Sequence, residues 1–243
     1  MIFQYACPIN DITVDKCYKM FDQLPVDRKN KVGRYRKEQD RKRCIVGVVL
    51  LRYCLMKDFD IDEHIELSYG EYGKPSLAGH PKIHFSISHS GEWVIVSVGN
   101  TVHGIDVEHS HDQTSDMFDC IFTEHERNIA VKLEDKAADD YFVRLWTVKE
   151  AYAKLLGLGL NKNFTEIDVA DKEDKIVIYD RSVLVEDCIV SQQRIEEDYW
   201  YTICAEDSKD NIGELETVSF EDIYEYYIVL FGKLNTASSV TLK

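Results

Sequence analysis

The chain has 243 residues, 44% hydrophobic and 30% charged, enough to bury a substantial core as one larger domain or two packed halves. No apolar run approaches the roughly 20 residues that cross a bilayer, so no membrane partner is expected. A net charge of -15 argues against a general nucleic-acid binder.

The first twenty residues contain Asp11 and Asp15 and lack a basic stretch before an apolar one, unlike a secretory leader. Seven scattered cysteines without a C-x-x-C fit buried thiols in a reducing compartment better than disulfides or zinc. The expectation is a cytoplasmic chain. Residues 28–43 reverse the average charge, with nine Lys or Arg against two acids, a local +7 that leaves -22 elsewhere. Such a confined patch suits a small, highly anionic ligand.

From Arg41 to Lys57 apolar residues recur at helical spacing, predicting an amphipathic helix with a basic N-terminal end. Cations there oppose the helix macrodipole, so a bound anion is a reason to keep them. Strand patterns follow around Ile65 to Tyr69, Ile83 to Ile87, 93–98 and 102–108. The polar stretch 109–116 marks a boundary. A second helix runs through Tyr141, Leu145, Trp146 and Leu156 and stops at Gly157 and Gly159, followed by strands near 164–169, 175–179 and 197–205. A last helix spans about Glu221 to Leu234, and 236–243 reads as a loose tail. This order predicts an α+β fold of two similar halves, each a helix packed on a small, mainly antiparallel sheet, with the active site at their interface. The halves are 1–110, carrying the basic segment and the first acids, and 111–243, carrying the helix at 140–157 and the second sheet.

In GIDVE, Asp106 and Glu108 lie two apart in a strand pattern, so their carboxylates share a face with Cα atoms roughly 6.6 Å apart. Two such acids can begin a Mg²⁺ site, although an isolated D-x-E is more often a solvated acidic face. Glu150 and Lys154 are i, i+4 neighbours, which alone describes a surface ion pair. GEYGKP at 70–75 is too short for a Walker A loop, and SHSG at 88–91 lacks the flanking glycine of a nucleophile elbow.

Taken in order, EYGKPSL (71–77), HFSISHSG (84–91), GIDVE (104–108), FTEHE (122–126) and LWTVKEAYAKLLGLGL (145–160) resemble the 4′-phosphopantetheinyl transferases, the larger monomeric type that serves peptide and polyketide synthases. The resemblance implies Mg²⁺-dependent transfer of phosphopantetheine from coenzyme A to a serine of an apo acyl or peptidyl carrier protein, releasing adenosine 3′,5′-bisphosphate. It assigns Mg²⁺ to Asp106, Glu108 and Glu150, and the phosphates to Arg28, Lys31, Arg43 and His89. Gly73, Lys74 and Pro75 would line the adenine pocket, with Ser88 and Lys154 also on coenzyme A. Glu150 would take the serine proton, directly or through water, and Lys154 would stabilise the pyrophosphate.

Ser86 stands where many relatives have Asn. Glu126, three residues after Thr123, fits a capping box as well as a site role. His84, His103, His109 and His111 match no motif and read as ordinary histidines. The rival readings are a non-catalytic module that binds RNA or another anion through 28–43, and an enzyme of this fold with a different coenzyme A chemistry or a regulatory role.

Overall fold

The computed structural model describes residues 1–238 apart from 63, 111–117, 174 and 207–211. In chain order it forms β1 (Ile2–Pro8), α1 (Val14–Tyr18), α2 (Val26–Arg34), α3 (Glu38–Phe59), β2 (Leu67–Tyr69), β3 (Pro75–Leu77), β4 (His84–Ser90), β5 (Trp93–Gly99) and β6 (His103–His109). Then come α4 (Phe118–Ile121), α5 (Glu124–Ala130), α6 (Asp135–Leu156), β7 (Ile167–Lys172), β8 (Lys175–Asp180), β9 (Val183–Leu184), β10 (Cys188–Glu196), β11 (Tyr199–Glu206), β12 (Ile212–Thr217) and α7 (Phe220–Ser238). Most of the boundary stretch 109–116, including His111, and the tail beyond 238 lie outside the described residues.

One core is built around α3. Every residue from Cys44 to Met56 is buried, so this helix is covered on all sides and is not amphipathic. The sheet β12-β1-β5-β4 covers one side, while α1, α2 and α7 cover others. Arg52, the one charged residue in that buried stretch, lies over the Tyr227 ring at 5.4 Å. The helix also begins earlier than the apolar spacing predicts. Its first turn carries Glu38 and Asp40, which complement the macrodipole, so the dipole gives no reason for the basic segment.

Strand β5 alternates Trp93 and Ile95 with Val94, Val96 and Val98, and both faces are buried. The valines meet the α3 core; Trp93 and Ile95 meet Ile105 and Val107 of β6 and Tyr199, Tyr201 and Ile203 of β11 in a seam between the two main sheets. The second sheet, β10-β11-β6, carries α6 across its other face. Gly157, at φ 75°, ends α6 in the left-handed conformation, where Leu158 N–H donates to the Ala153 carbonyl.

The architecture is α+β, with a long helix packed on each of the two main sheets, α3 on β12-β1-β5-β4 and α6 on β10-β11-β6. Strand pairing crosses residue 110 in two places: β6 pairs antiparallel with β11, and β12 pairs parallel with β1.

Candidate active site

Two edge strands and one helix build the acidic centre. On β6 the alternation holds: Ile105 and Val107 are fully buried in the seam, while Asp106 and Glu108 face α6 and β4. Gly104 permits the approach of β6 to α6, since a Cβ there would lie 2.2 Å from the Ala151 carbonyl and 2.5 Å from Leu155 N. That closeness brings Glu150 and Lys154 to the carboxylates.

Lys154 Nζ donates to Asp106 Oδ1 at 2.6 Å, to Ser88 Oγ at 3.0 Å and to the Ile105 carbonyl at 3.1 Å. Ser88 Oγ donates to Asp106 Oδ1 at 2.7 Å, and Ser90 Oγ donates to Glu108 Oε2 at 2.7 Å. Asp106 Oδ2 and Glu150 Oε1 are buried without a hydrogen-bond partner.

Burial raises Asp106 above the ordinary carboxylate value, against the opposing pull of Lys154 and Ser88. Burial, then the Asp106 charge, push Glu108 up to about 8 and Glu150 up to about 7. For Lys154 burial works downward, but Asp106 and Glu150 outweigh it and hold the ammonium above its usual value. Three mutually repelling carboxylates with two orphaned oxygens and one ammonium are a donor set that fits a divalent cation with oxygen ligands. They are not closed on a common point: among the described residues no three His, Cys, Asp or Glu are preassembled at metal-holding spacing.

Beside this centre opens a cavity of about 340 Å³, between α2, α3, the β2–β3 hairpin, β4 and the end of α6. Arg28, Lys31, Arg43, Gly73, Lys74, Pro75, His89 and Lys154 all line it. Lys154 belongs to both places. Arg28 is largely buried, and its Nε, 3.5 Å from Asp27 Oδ2, has no hydrogen-bond partner. Arg43 donates twice to the Gly91 carbonyl, at 2.7 and 3.1 Å. His89 opens toward the cavity, its pKa lowered by desolvation and then by Lys154, Arg43 and Lys31. An anion would neutralise that cationic field.

Other residues direct their polar groups away from the cavity. Ser88 is absent from the lining because its hydroxyl is turned to Asp106 and Lys154. Lys74 lines it, but its ammonium bonds the Leu155 and His103 carbonyls at 3.1 and 3.3 Å and so fastens the GEYGKP loop to α6. Glu126 is a capping and core residue: it closes a capping box with Thr123 and pairs with Lys149 at 2.5 Å, both side chains fully buried. His103 is buried with Nδ1 2.7 Å from the Thr101 carbonyl.

Sequence reasoning missed Tyr35, Cys44, Gly47, Tyr69 and Phe85 on the cavity wall. Cys44 and Gly47 carried a signal, being one and four residues beyond Arg43 and thus on its side of a helix. The tyrosines carried none.

A family model described as the 4′-phosphopantetheinyl transferase superfamily matches residues 103–204, and one described as 4′-phosphopantetheinyl transferase, N-terminal, matches residues 13–101. The chain belongs to the 4′-phosphopantetheinyl transferase family. It is 28% identical over 207 residues to a Bacillus subtilis 4′-phosphopantetheinyl transferase, covering 84% of this chain and 92% of that one, which places it with the larger type. To the Aneurinibacillus migulanus 4′-phosphopantetheinyl transferase gsp it is 33% identical over 162 residues, 60% of this chain and 66% of that protein. Among solved structures, a holo-(acyl-carrier-protein) synthase from Bacillus anthracis in complex with CoA (3′,5′-ADP) matches 44% of this chain and 97% of its own, at 22% identity and a TM-score of 0.35. The chain is therefore an enzyme, a phosphopantetheinyl transferase, and a non-catalytic module for RNA or another anion is not favoured. Among the described residues no helix of this transferase is long and apolar enough to cross a membrane.

Proposed function

We propose that this transferase moves 4′-phosphopantetheine from coenzyme A to a serine of an apo acyl or peptidyl carrier protein, with Mg²⁺ held by Asp106, Glu108 and Glu150, releasing adenosine 3′,5′-bisphosphate. We place it in the cytoplasm as a monomer that acts without nucleic acid or membrane. The carrying observation is that Lys154 borders both the cationic cavity and the acidic centre. A ligand with a phosphate at one end and a pyrophosphate at the other matches those two regions.

In this reading Arg28, Lys31, Arg43 and His89 take the 3′-phosphate, and the Gly73–Pro75 loop borders the adenine. Lys154 stabilises charge gathering on the pyrophosphate as the serine oxygen bonds the β-phosphorus and the bridging P–O bond breaks. Glu150, held by burial near neutrality, accepts the serine proton directly or through a water. A divalent cation on the three carboxylates would supply Lewis-acid stabilisation of the same charge.

The test is the mass of an apo carrier incubated with the transferase, coenzyme A and Mg²⁺. A gain of one phosphopantetheine that chelation abolishes is expected; a gain that persists in chelator removes the metal from the reading. With 3′-dephospho coenzyme A, calorimetry should show weaker binding by on the order of 1.5 to 3 kcal/mol for each lost charge-assisted bond. Equal affinity for both forms would take Arg28, Lys31 and Arg43 out of the site.

A further inference from the structure

Strands β4 and β6 each end one of the main sheets, and they lie against each other without a backbone ladder. Serine hydroxyls do the joining. Ile105 N–H of β6 donates to Ser86 Oγ at 3.0 Å, and His109 N–H donates to Ser90 Oγ at 3.2 Å. Ser86, Ser88 and Ser90 alternate along β4, so all three face β6, and each is buried.

At Ser90 the hydrogen-bond directions are forced. A backbone N–H only donates, so Oγ must accept from His109. Once Glu108 is ionised, as a cation ligand must be, its oxygens only accept, so the single hydroxyl proton is committed to Glu108 Oε2, 2.7 Å away. One hydroxyl thus ties a carboxylate of the acidic centre to the backbone one residue further along β6. Ser90 lies outside the cavity lining, unlike Lys154, with which Ser88 shares its bond.

We propose that Ser90 is a positioning residue for cation binding, its hydroxyl fixing the Glu108 carboxylate between β4 and β6. The inference rests on the reading of Asp106, Glu108 and Glu150 as cation ligands. A partner that orients a ligand in this way changes metal affinity by about 10- to 100-fold when removed. Ser86 is the control for joining the strands, since its partner is a backbone N–H and not a carboxylate; it also lines the cavity, so its variant is compared at its own coenzyme A affinity.

The experiment titrates Mn²⁺ into the full-length protein with coenzyme A present, following free Mn²⁺ by electron paramagnetic resonance and coenzyme A affinity by calorimetry. Ser90→Ala should weaken Mn²⁺ binding by about 10- to 100-fold and leave coenzyme A affinity in place. Ser90→Thr, which keeps the hydroxyl, should bind Mn²⁺ close to wild type. Ser90→Cys, a poor donor of similar size, should follow Ser90→Ala and serves if the alanine variant does not fold. Wild-type Mn²⁺ affinity in Ser90→Ala or Ser90→Cys would overturn the proposal, as would an equal loss in Ser86→Ala at unchanged coenzyme A affinity. Asp106→Ala, in the same titration, separates the two levels. If it too binds Mn²⁺ like wild type, the cation reading fails; if it loses Mn²⁺ while Ser90→Ala does not, only the role of Ser90 fails.

Discussion

Lys149 and Glu150 are adjacent in sequence, yet about 100° apart around α6, and they serve different faces of it. Lys149 Nζ is fully buried against Glu126 and the Ile121 and Phe164 carbonyls, whereas Glu150 faces Asp106. Lys149→Met leaves the Glu126 carboxylate buried and uncompensated, so it should cost about 3 to 5 kcal/mol in denaturant unfolding. Glu150→Gln should instead abolish most transfer while unfolding at or above the wild-type midpoint; wild-type activity in that variant would remove Glu150 from the chemistry. Proton linkage gives an independent check on the metal-free protein. The folded values of about 8 for Glu108 and about 7 for Glu150 lie above the ordinary 4.5 of an unfolded glutamate. Stability present below pH 4.5 is therefore lost progressively as pH rises toward and through 7 and 8. In chelator the thermal midpoint should fall between about pH 6 and pH 8.5, and Mg²⁺ should restore more at the higher pH. A flat profile would show that these carboxylates meet water in the folded state. At this scale the strand period was enough to place Asp106 and Glu108 on one face. The partners that hold them, Ser88 and Ser90, come from the edge of the other sheet, and no local spacing announces a contact between sheets.

Elements were legible where one period dominated. The helix through Tyr141 to Leu156 and strands β5 and β6 followed from apolar spacing, as did the left-handed stop at Gly157. Strand β10 was missed because its residues are half-exposed and mixed, giving no alternation to read. Strand β12 was missed because its partner, β1, lies some 200 residues away. The start of α3 at Glu38 is not marked by apolar spacing, because its first turn is polar. Gly104 is the position where elements meet most closely, and its role is clearance. Gly104→Ala must push β6 away from α6, because the new carbon would overlap backbone atoms of Ala151 and Leu155 that cannot rotate aside. Overpacking of this kind costs about 1 to 3 kcal/mol or more. The same displacement separates Asp106 from Glu150, so transfer should fall by more than the loss of stability explains. A folded Gly104→Ala variant with wild-type turnover would show that β6 and α6 tolerate a wider gap.

The molecule is closed by its last third returning to its first. Val218, Phe220, Ile223 and Tyr227 join the core built around α3, and Tyr227 Oη donates to the Val49 carbonyl at 3.2 Å. The opposite side of α3 presents Arg43, Cys44, Gly47 and Val48 to the cavity. Helix α3 is therefore held from behind by α7 while its front forms the wall that meets the ligand. A chain of net charge -15 keeps its cationic wall by this means, since the basic residues of α2 and α3 are carried on a helix braced by apolar contacts. Tyr227→Ala removes a fully buried ring, its hydroxyl bond and the surface beneath Arg52. By analogy with other buried aromatic truncations it should cost about 3 to 5 kcal/mol. Urea unfolding followed by circular dichroism measures the loss, and calorimetry well below the midpoint measures coenzyme A affinity in the molecules still folded. The expected result is a large fall in the unfolding midpoint with affinity retained, because no cavity atom is deleted. A cost under about 1 kcal/mol, the level of an ordinary surface substitution, would mean that α7 merely rests on the first half. A parallel loss of affinity would mean that α7 sets the shape of the cavity wall as well as its stability.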